Sequence, residues 1–260
     1  MQEMGRNNQT FFQQIVLSGF QMPQSVKIPF FLLLFISYSV ALSSNVTILT
    51  LVSSSPSLHH PMFFFLSHLS LSDIILTTSI VPTMLHGILR GELSMPIPAC
   101  ITQLQFLGIA LTSECFILAI MSYDRYLAIC NPFHYISVMD NTSVMELENL
   151  VVAIPTTSFP VLFITATYIC IFITILRIPS ITGRQKAFST CSSHLSVVAI
   201  FFGTLVALYV VPSNGHSLTA NKVLSLLYAV ITPLFNPMIY CLRNKEIKAA
   251  LKKLVRCVCK

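Results

Sequence analysis

The chain has 260 residues, of which 54% are hydrophobic and only 9% are charged. A soluble domain carries about 25% charged residues, and a disordered chain has few apolar residues and many charges, so the composition argues against both classes. The formal net charge is +6, and seven of the fifteen basic residues fall in the last twenty positions, next to a long apolar region. This distribution favours membrane lipid as a partner and argues against nucleic acid.

The first segment of the chain, 1–27, is polar and lacks the basic and apolar regions of a signal peptide. We therefore expect a flexible extracellular leader and insertion directed by the first apolar run. The triplet that begins at Asn8 is an acceptor for N-linked glycosylation. An acceptor at this position is consistent with an N-terminus on the outer side of the membrane.

The rest of the chain is organised in long apolar runs, and about 20 mainly apolar residues cross a bilayer as a helix. By this rule the sequence predicts six spans, near 28–52, 62–85, 97–127, 149–176, 191–212 and 223–242. The fourth run contains Pro155 and Pro160 but is too short to cross twice, so we expect one kinked helix. An all-α integral membrane protein with a single transmembrane domain, 1–260, is the predicted fold.

The last segment, 243–260, combines basic residues with apolar residues at helical spacing. This pattern predicts a cytoplasmic amphipathic helix that lies on the membrane surface. Cys257 and Cys259 at its end are candidates for lipidation. A pair of free thiols is the equally weighted alternative.

An even number of spans conflicts with the distribution of positive charge. With the N-terminus outside, three spans bring residues 124–126 to the cytoplasm and six spans return the C-terminus to the outside. The basic tail, together with Arg177, Arg184 and Lys186, would then lie outside, against the positive-inside tendency. One crossing is missing, and the polar stretch 136–149 offers no apolar span where it is expected.

Two acidic residues lie at mid-membrane depth, Asp73 in the second predicted span and Glu114 in the third. An ionisable group inside a span costs at least about 2.5 kcal/mol on insertion scales, so each is a candidate functional residue. With the amide of Asn236 they form a candidate sodium site. Protonated or hydrogen-bonded structural acids are the alternative, and a six-span ion channel or carrier that uses both acids is a further hypothesis.

Other candidate groups give weaker signals. Asp124 and Arg125 are neighbours near the end of the third span and form a candidate ion-pair switch. Cys191 and His194 have metal-ligand spacing, but no second ligand pair is near in sequence, which favours a structural role. The chain has no nucleophile elbow, HExxH, phosphate-binding glycine loop or GxGxxG. We therefore do not expect an enzyme.

Five motifs in chain order resemble those of the olfactory receptors, which are rhodopsin-like G-protein-coupled receptors of seven helices. They are LHHPMFFFL at 58–66 (family LHxPMYFFL), LSLSD at 69–73 (LSxxD), MSYDRYLAIC at 121–130 (MAYDRYVAIC), KAFSTCSSHL at 186–195 (KAFSTCxSHL) and PLFNPMIYCLRN at 233–244 (PxxNPxIYxLRN). They extend over most of the chain. The resemblance implies a rhodopsin-like helical bundle in which six spans are visible instead of seven, followed by an amphipathic helix.

The resemblance also implies a function, an odorant receptor of the plasma membrane that couples a small hydrophobic odorant to a heterotrimeric G protein. The implied G-protein switch consists of Asp124, Arg125, Tyr126, Tyr168, Lys186 and Tyr240. The implied odorant pocket, mostly apolar as expected for a poorly soluble ligand, consists of Leu107, Gly108, Leu111, Thr112, Thr156, Phe202 and Tyr209. Asp73, Glu114 and Asn236 correspond to an interior polar site, with no other cofactor.

The chain departs from the family pattern in several places. Phe202 and Phe63 stand where the family usually has tyrosine, and the chain contains no tryptophan. Residues 131–139 match the start of the second cytoplasmic loop, whereas 142–147 already resemble the segment before the family's fifth helix. The family's fourth helix and nearly all of its second extracellular loop are therefore missing between positions 140 and 141.

This gap accounts for the missing crossing and has functional consequences. In the family, Cys100 pairs with a cysteine of the absent loop, so we expect it to have no partner. The odorant pocket also loses its lid, and we expect signalling to be impaired. A non-signalling truncated receptor that associates with full-length receptors and holds them inside the cell is the alternative.

Overall fold

A computed structural model describes residues 14–18, 23–132, 158–210 and 218–258. In chain order these residues form β1 (Gln14–Ser18), α1 (Gln24–Ser54), a 3-10 turn (Pro56–Leu58), α2 (Pro61–Arg90), β2 (Glu92–Pro96), α3 (Ile97–Cys130), α4 (Ser158–Arg177), α5 (Ile181–Val210), α6 (Leu218–Arg243) and α7 (Lys245–Val258). The predicted all-α membrane fold is confirmed.

Helices α1 to α5 are each long and apolar enough to cross a membrane by length and composition. The predicted sixth span lies in α6, which has 26 residues. Most helix bounds differ from the predicted spans by a few residues. Helix α5 begins at Ile181 rather than at 191, so the whole KAFSTC motif is helical. Pro160 is the third residue of α4, and Pro155 lies outside the described residues.

Part of the predicted flexible leader is a strand. Strand β1 pairs with β2 in antiparallel register, with Gln14 opposite Pro96 and Ser18 opposite Glu92, and the Ser94 hydroxyl donates to Gln14 Oε1 at 2.7 Å. Two strands alone are marginally stable in water, but this sheet contacts α2 and α3. The expectation of a wholly flexible leader is therefore wrong for 14–18 and for the residues of 24–27, which begin α1.

Helix α3 lies at the centre of the bundle, in contact with α2, α4 and α5. Half of the residues in the most apolar 18-residue stretch of α3 are buried, against 11% of the residues in the corresponding stretch of α1. The main core includes Phe63 and Phe65 of α2, Leu118 and Met121 of α3, and Phe201 of α5. Helix α6 completes the bundle by packing against α1, α2 and α5.

A side chain of α1 completes the hydrogen bonding of α6 at a proline. Pro237 has no N–H, so the carbonyl of Pro233 lacks its usual donor within the helix. The buried amide of Asn45 donates to that carbonyl at 2.9 Å and to the Ala41 carbonyl of its own helix at 3.0 Å. A neighbouring helix thus supplies the donor that the proline removes.

We predict that Asn45→Ala lowers the free energy of unfolding by about 1–3 kcal/mol, because a buried carbonyl loses its donor. The measurement is the thermal unfolding midpoint of the chain purified in detergent. Ser43→Ala is the control, since the exposed Ser43 hydroxyl bonds only to the Val40 carbonyl of its own helix. An equal loss in both variants would contradict the assigned role of Asn45.

Candidate functional site

The interior of the bundle contains a hydrogen-bonded acid–amide pair. The side-chain amide of Asn236 on α6 donates to both Oδ1 and Oδ2 of Asp73 on α2, each at 3.0 Å. Asp73 is fully buried and Asn236 is 3% exposed. Two groups predicted from separate motifs are therefore in direct contact, 163 residues apart in the chain.

Glu114 of α3 lies beside Asp73 and is also fully buried. The Tyr228 hydroxyl of α6 donates to Glu114 Oε2 at 3.5 Å. The structure thus brings together the interior polar cluster, which we define as Asp73, Glu114 and Asn236.

Several buried oxygens of α1, α2, α3 and α6 have no hydrogen-bond partner among the described residues. They are Glu114 Oε1, Ser70 Oγ, Thr232 Oγ1 and Asn45 Oδ1. Ser70 lies one helical turn before Asp73, and Thr232 lies one turn before Asn236. Within the described part of the chain, no group of three or more His, Cys, Asp or Glu side chains is placed to hold a metal. The donor set is two carboxylates with neutral oxygens, which fits a hard cation rather than a transition metal.

The candidate switch lies near the C-terminal end of α3. Arg125 Nη2 is 3.4 Å from Asp124 Oδ2, and the two side chains are 14% and 2% exposed. The two tyrosines predicted for the switch in other helices, Tyr168 and Tyr240, each form a hydrogen bond with a side chain of another helix. Tyr168 shares a 2.5 Å hydrogen bond with Nδ1 of His194, and Tyr240 donates to Met121 Sδ at 3.9 Å.

His194 is a residue whose contact the sequence does not predict. It is 2% exposed, and its ring stacks on that of Tyr168 with centroids 5.7 Å apart. The hydrogen bond joins α4 to α5 across 26 residues of sequence. Spacing within one helix gives no information on a partner in another helix. The one signal in the sequence for a role beyond the core is the position of His194 inside the KAFSTCSSHL motif.

The end of α3, the start of α5, the end of α6 and the start of α7 surround a cavity of about 510 Å³, which we call the Arg125 cavity. It is lined by Met62, Met121, Arg125, Lys186, Ser189, Thr190, Ser193, His194, Tyr240, Asn244 and Glu246. Three predicted switch residues, Arg125, Lys186 and Tyr240, therefore share one cavity at one end of the bundle. The cavity carries two basic side chains and one acidic side chain.

Helix α7 is positioned by Asn244 at its N-terminus. Asn244 Oδ1 accepts hydrogen bonds from the backbone N–H of Glu246 at 2.8 Å and of Ile247 at 3.2 Å, which is the geometry of a helix N-cap. The helix buries Ile247 and Ala250 and exposes Lys248, Lys252, Lys253 and Arg256. The lipidation candidates Cys257 and Cys259 and the glycosylation candidate Asn8 lie outside the described side chains.

The predicted odorant residues are only partly assembled. Leu107, Leu111 and Phe202 pack against the main core, whereas Gly108 is exposed and a methyl group added there would meet no atom within 4 Å. The Thr112 hydroxyl donates to the Gly108 carbonyl at 2.7 Å. The described residues therefore leave this side of α3 open.

The structure gives less information on three further residues of the predicted odorant-binding end. Thr156 lies outside the described residues, and Tyr209 lies in α5 with a side chain that is not described. Cys100, near the start of α3, is a free thiol and forms no disulfide with another described cysteine.

Comparison with known proteins identifies relatives along nearly the whole chain. The sequence model of the olfactory receptor family matches residues 33–152 and 141–257. Olfactory receptor 5p57 of Mus musculus is 36% identical over 97% of this chain and 98% of its own length. Olfactory receptor 1Q1 of Homo sapiens is 35% identical over 96% of both chains, and olfactory receptor 8G17 of Mus musculus is 37% identical over 97% of this chain and all of its own.

The alignments also show an internal gap. The match to olfactory receptor 5p57 extends over 305 positions, whereas 97% of this chain is about 252 residues. About 50 positions of the relative therefore have no counterpart here. The family model matches in two segments, and the second begins at residue 141, where the sequence predicts the break. The chain belongs to the olfactory receptor family, and it is shorter than its relatives by an internal stretch.

Proposed function

We propose that this chain is an odorant receptor of the plasma membrane in which the G-protein-binding end is retained and the odorant-binding end is impaired. The observation that carries the proposal is the convergence of Arg125, Lys186 and Tyr240 on one cavity of about 510 Å³. The names of the relatives support an odorant as the ligand. A heterotrimeric G protein is the partner proposed for the cavity.

The contacts around the Arg125 cavity suggest how the cavity would change when the receptor is activated. The Tyr168–His194 bond holds α5 against α4, and the Asp124 carboxylate holds Arg125 within its own helix. Outward movement of the start of α5 would break the first bond and widen the cavity. The Arg125 guanidinium would then exchange its intrahelical partner for a group of the G protein.

The proposed loss of odorant binding concerns the end of the bundle opposite the Arg125 cavity. Gly108 is open on the side of α3 where the pocket would be, and Cys100 has no disulfide partner among the described cysteines. A small-molecule site needs to bury most of its ligand. Among the described residues no atom covers α3 at Gly108, and the family's second extracellular loop, which would supply a lid, has no counterpart in the sequence.

The first prediction concerns odorant signalling. We expect no odorant-evoked cAMP from cells that express the 260-residue chain, and a response from a repaired chain that carries the missing stretch of a relative between Asp140 and Asn141. The same odorant panel is applied to both at matched surface expression. A response from the 260-residue chain would show that the pocket is functional without that stretch.

The second prediction concerns the cavity. In the repaired chain, Arg125→Ala should lower the odorant-evoked cAMP response at least tenfold, because it removes the cationic group proposed to meet the G protein. Arg177→Ala is the matched control, since Arg177 is exposed in the last turn of α4 and does not line the cavity. Equal losses in the two variants would assign the effect to overall charge.

We also propose that the interior polar cluster binds Na⁺, on the strength of its two buried carboxylates and nearby unpartnered oxygens.

The third prediction tests the sodium site by thermal unfolding of the purified chain. A site half-saturated at about 50 mM would add about 0.8 kcal/mol at 150 mM Na⁺, so the midpoint should rise in Na⁺ relative to N-methylglucamine. Asp73→Asn should remove this difference, and Glu92→Gln on the exposed β2 strand should keep it. Retention of the difference in Asp73→Asn would exclude the site.

A further inference from the structure

The Arg125 cavity has the size and the lining of a small-molecule site. Its volume of about 510 Å³ lies within the range of roughly 300–1,000 Å³ that is usual for such sites. Met62 of α2 and Met121 of α3 give it an apolar part, and polar side chains of α3, α5, α6 and α7 line the rest. Methionine side chains adapt to ligands of different shape. The cavity can therefore enclose a molecule that has one strongly polar group and a short apolar body.

Two cationic side chains line the cavity from different helices, Arg125 of α3 and Lys186 of α5. Arg125 uses one nitrogen, Nη2, for its 3.4 Å contact with Asp124, which leaves further N–H donors on the guanidinium. Among the described residues, Lys186 forms no ion pair. Two like charges beside one cavity repel each other and attract an anion between them.

The start of α5 adds hydroxyl groups to this cationic lining. Lys186, Ser189, Thr190 and Ser193 all line the cavity, and their spacing of i, i+3, i+4 and i+7 places them on one face of the helix. The Thr190 hydroxyl donates to the Lys186 carbonyl at 2.9 Å. The hydroxyls of Ser189 and Ser193 form no hydrogen bond with a described residue. Two hydroxyl donors are therefore available on the same face as the ammonium group.

We propose that the Arg125 cavity binds a phosphate monoester. Its three terminal oxygens are strong acceptors, so they can meet Arg125, Lys186 and a serine hydroxyl at the same time. Arginine holds phosphate through paired N–H bonds and lysine as a point charge. A carboxylate has two oxygens in one plane, which suits the guanidinium alone. Both a soluble phosphate ester and the headgroup of a membrane lipid present the proposed chemistry.

Glu246 of α7 lines the same cavity and opposes the binding of an anion. Its backbone N–H donates to Asn244 Oδ1 at 2.8 Å, which fixes the start of α7 beside the cavity. The lining thus carries two positive groups and one negative group. Removal of the negative charge should therefore strengthen phosphate binding, whereas removal of a positive charge should weaken it.

A bound phosphate would join α3 to α5, because Arg125 and Lys186 would share it. The two helices are in contact, and a shared anion would oppose the outward movement of the start of α5. This effect on activation rests on the proposed function. The binding itself does not, because it depends only on the charges and donors of the cavity.

Isothermal titration calorimetry of the purified 260-residue chain in detergent, at constant ionic strength, tests the site. We expect glycerol 3-phosphate to bind and glycerol to give no signal. Lys186→Gln should raise the Kd for glycerol 3-phosphate at least fivefold, because a charge-assisted hydrogen bond is lost. Lys186 is exposed, so the fold should be unaffected. Glu246→Gln should lower the Kd at least twofold.

The matched control is Lys252→Gln, which removes the same charge from an exposed position of α7 that does not line the cavity. Its Kd should stay within twofold of that of the unsubstituted chain. Equal losses in Lys186→Gln and Lys252→Gln would overturn the site, because they would reduce the binding to general attraction by positive charge.

Dioctanoyl phosphatidic acid, which carries the same phosphate monoester on a lipid, distinguishes the two sources. A Kd below that of glycerol 3-phosphate, with the same dependence on Lys186, would assign the phosphate to a lipid, and an equal or higher Kd would assign it to a soluble ester. Binding of neither probe would overturn the proposal. The assay contains no odorant and no G protein, so the phosphate site and the proposed function can fail separately.

Discussion

The bond that Asn236 donates to both oxygens of Asp73 joins α2 to α6 in surroundings where neither side chain has water as a substitute partner. Glu114 brings α3 to the same place, and Asn45 joins α1 to the carbonyl freed by Pro237 one turn away. Buried polar side chains therefore join four helices at this level of the bundle. The rest of the bundle, including the position of Tyr240 in the Arg125 cavity, is built around that constraint.

Apolar length and motif spacing predict most of the fold, because a helix that crosses a membrane has to be long and apolar. Apolar length does not predict helices or strands that lie outside the apolar part of the membrane. The start of α5 is polar and was missed, since a helix that extends beyond the apolar region needs no apolar run. Strand β1 was missed because five residues gain their structure from pairing with β2, 74 or more residues away. The Tyr168–His194 contact depends on two helices meeting, which no pattern within one helix encodes.

Among the described residues, the basic groups at the end of α4 and the start of α5 lie at the same end of the bundle as Arg125. Hydropathy counts crossings but contains no information on which neighbouring helices are parallel. That direction is set by contacts such as Thr167 with Ser122, whose partners are 45 residues apart. The internal gap of about 50 positions lies in the sequence between α3 and α4, and these two helices are in contact among the described residues.

The two ends of the bundle differ in how completely the described residues enclose them. The Arg125 cavity is lined by residues of α2, α3, α5, α6 and α7, whereas in the described part of the chain no atom lies within 4 Å of a methyl group placed at Gly108 of α3. On the proposed function, the elements that would bind a G protein and those that would bind an odorant are thus separable in one chain. The alternative, a non-signalling truncated receptor that associates with full-length receptors, depends on contacts between two receptor chains and not on either of these two sets of elements.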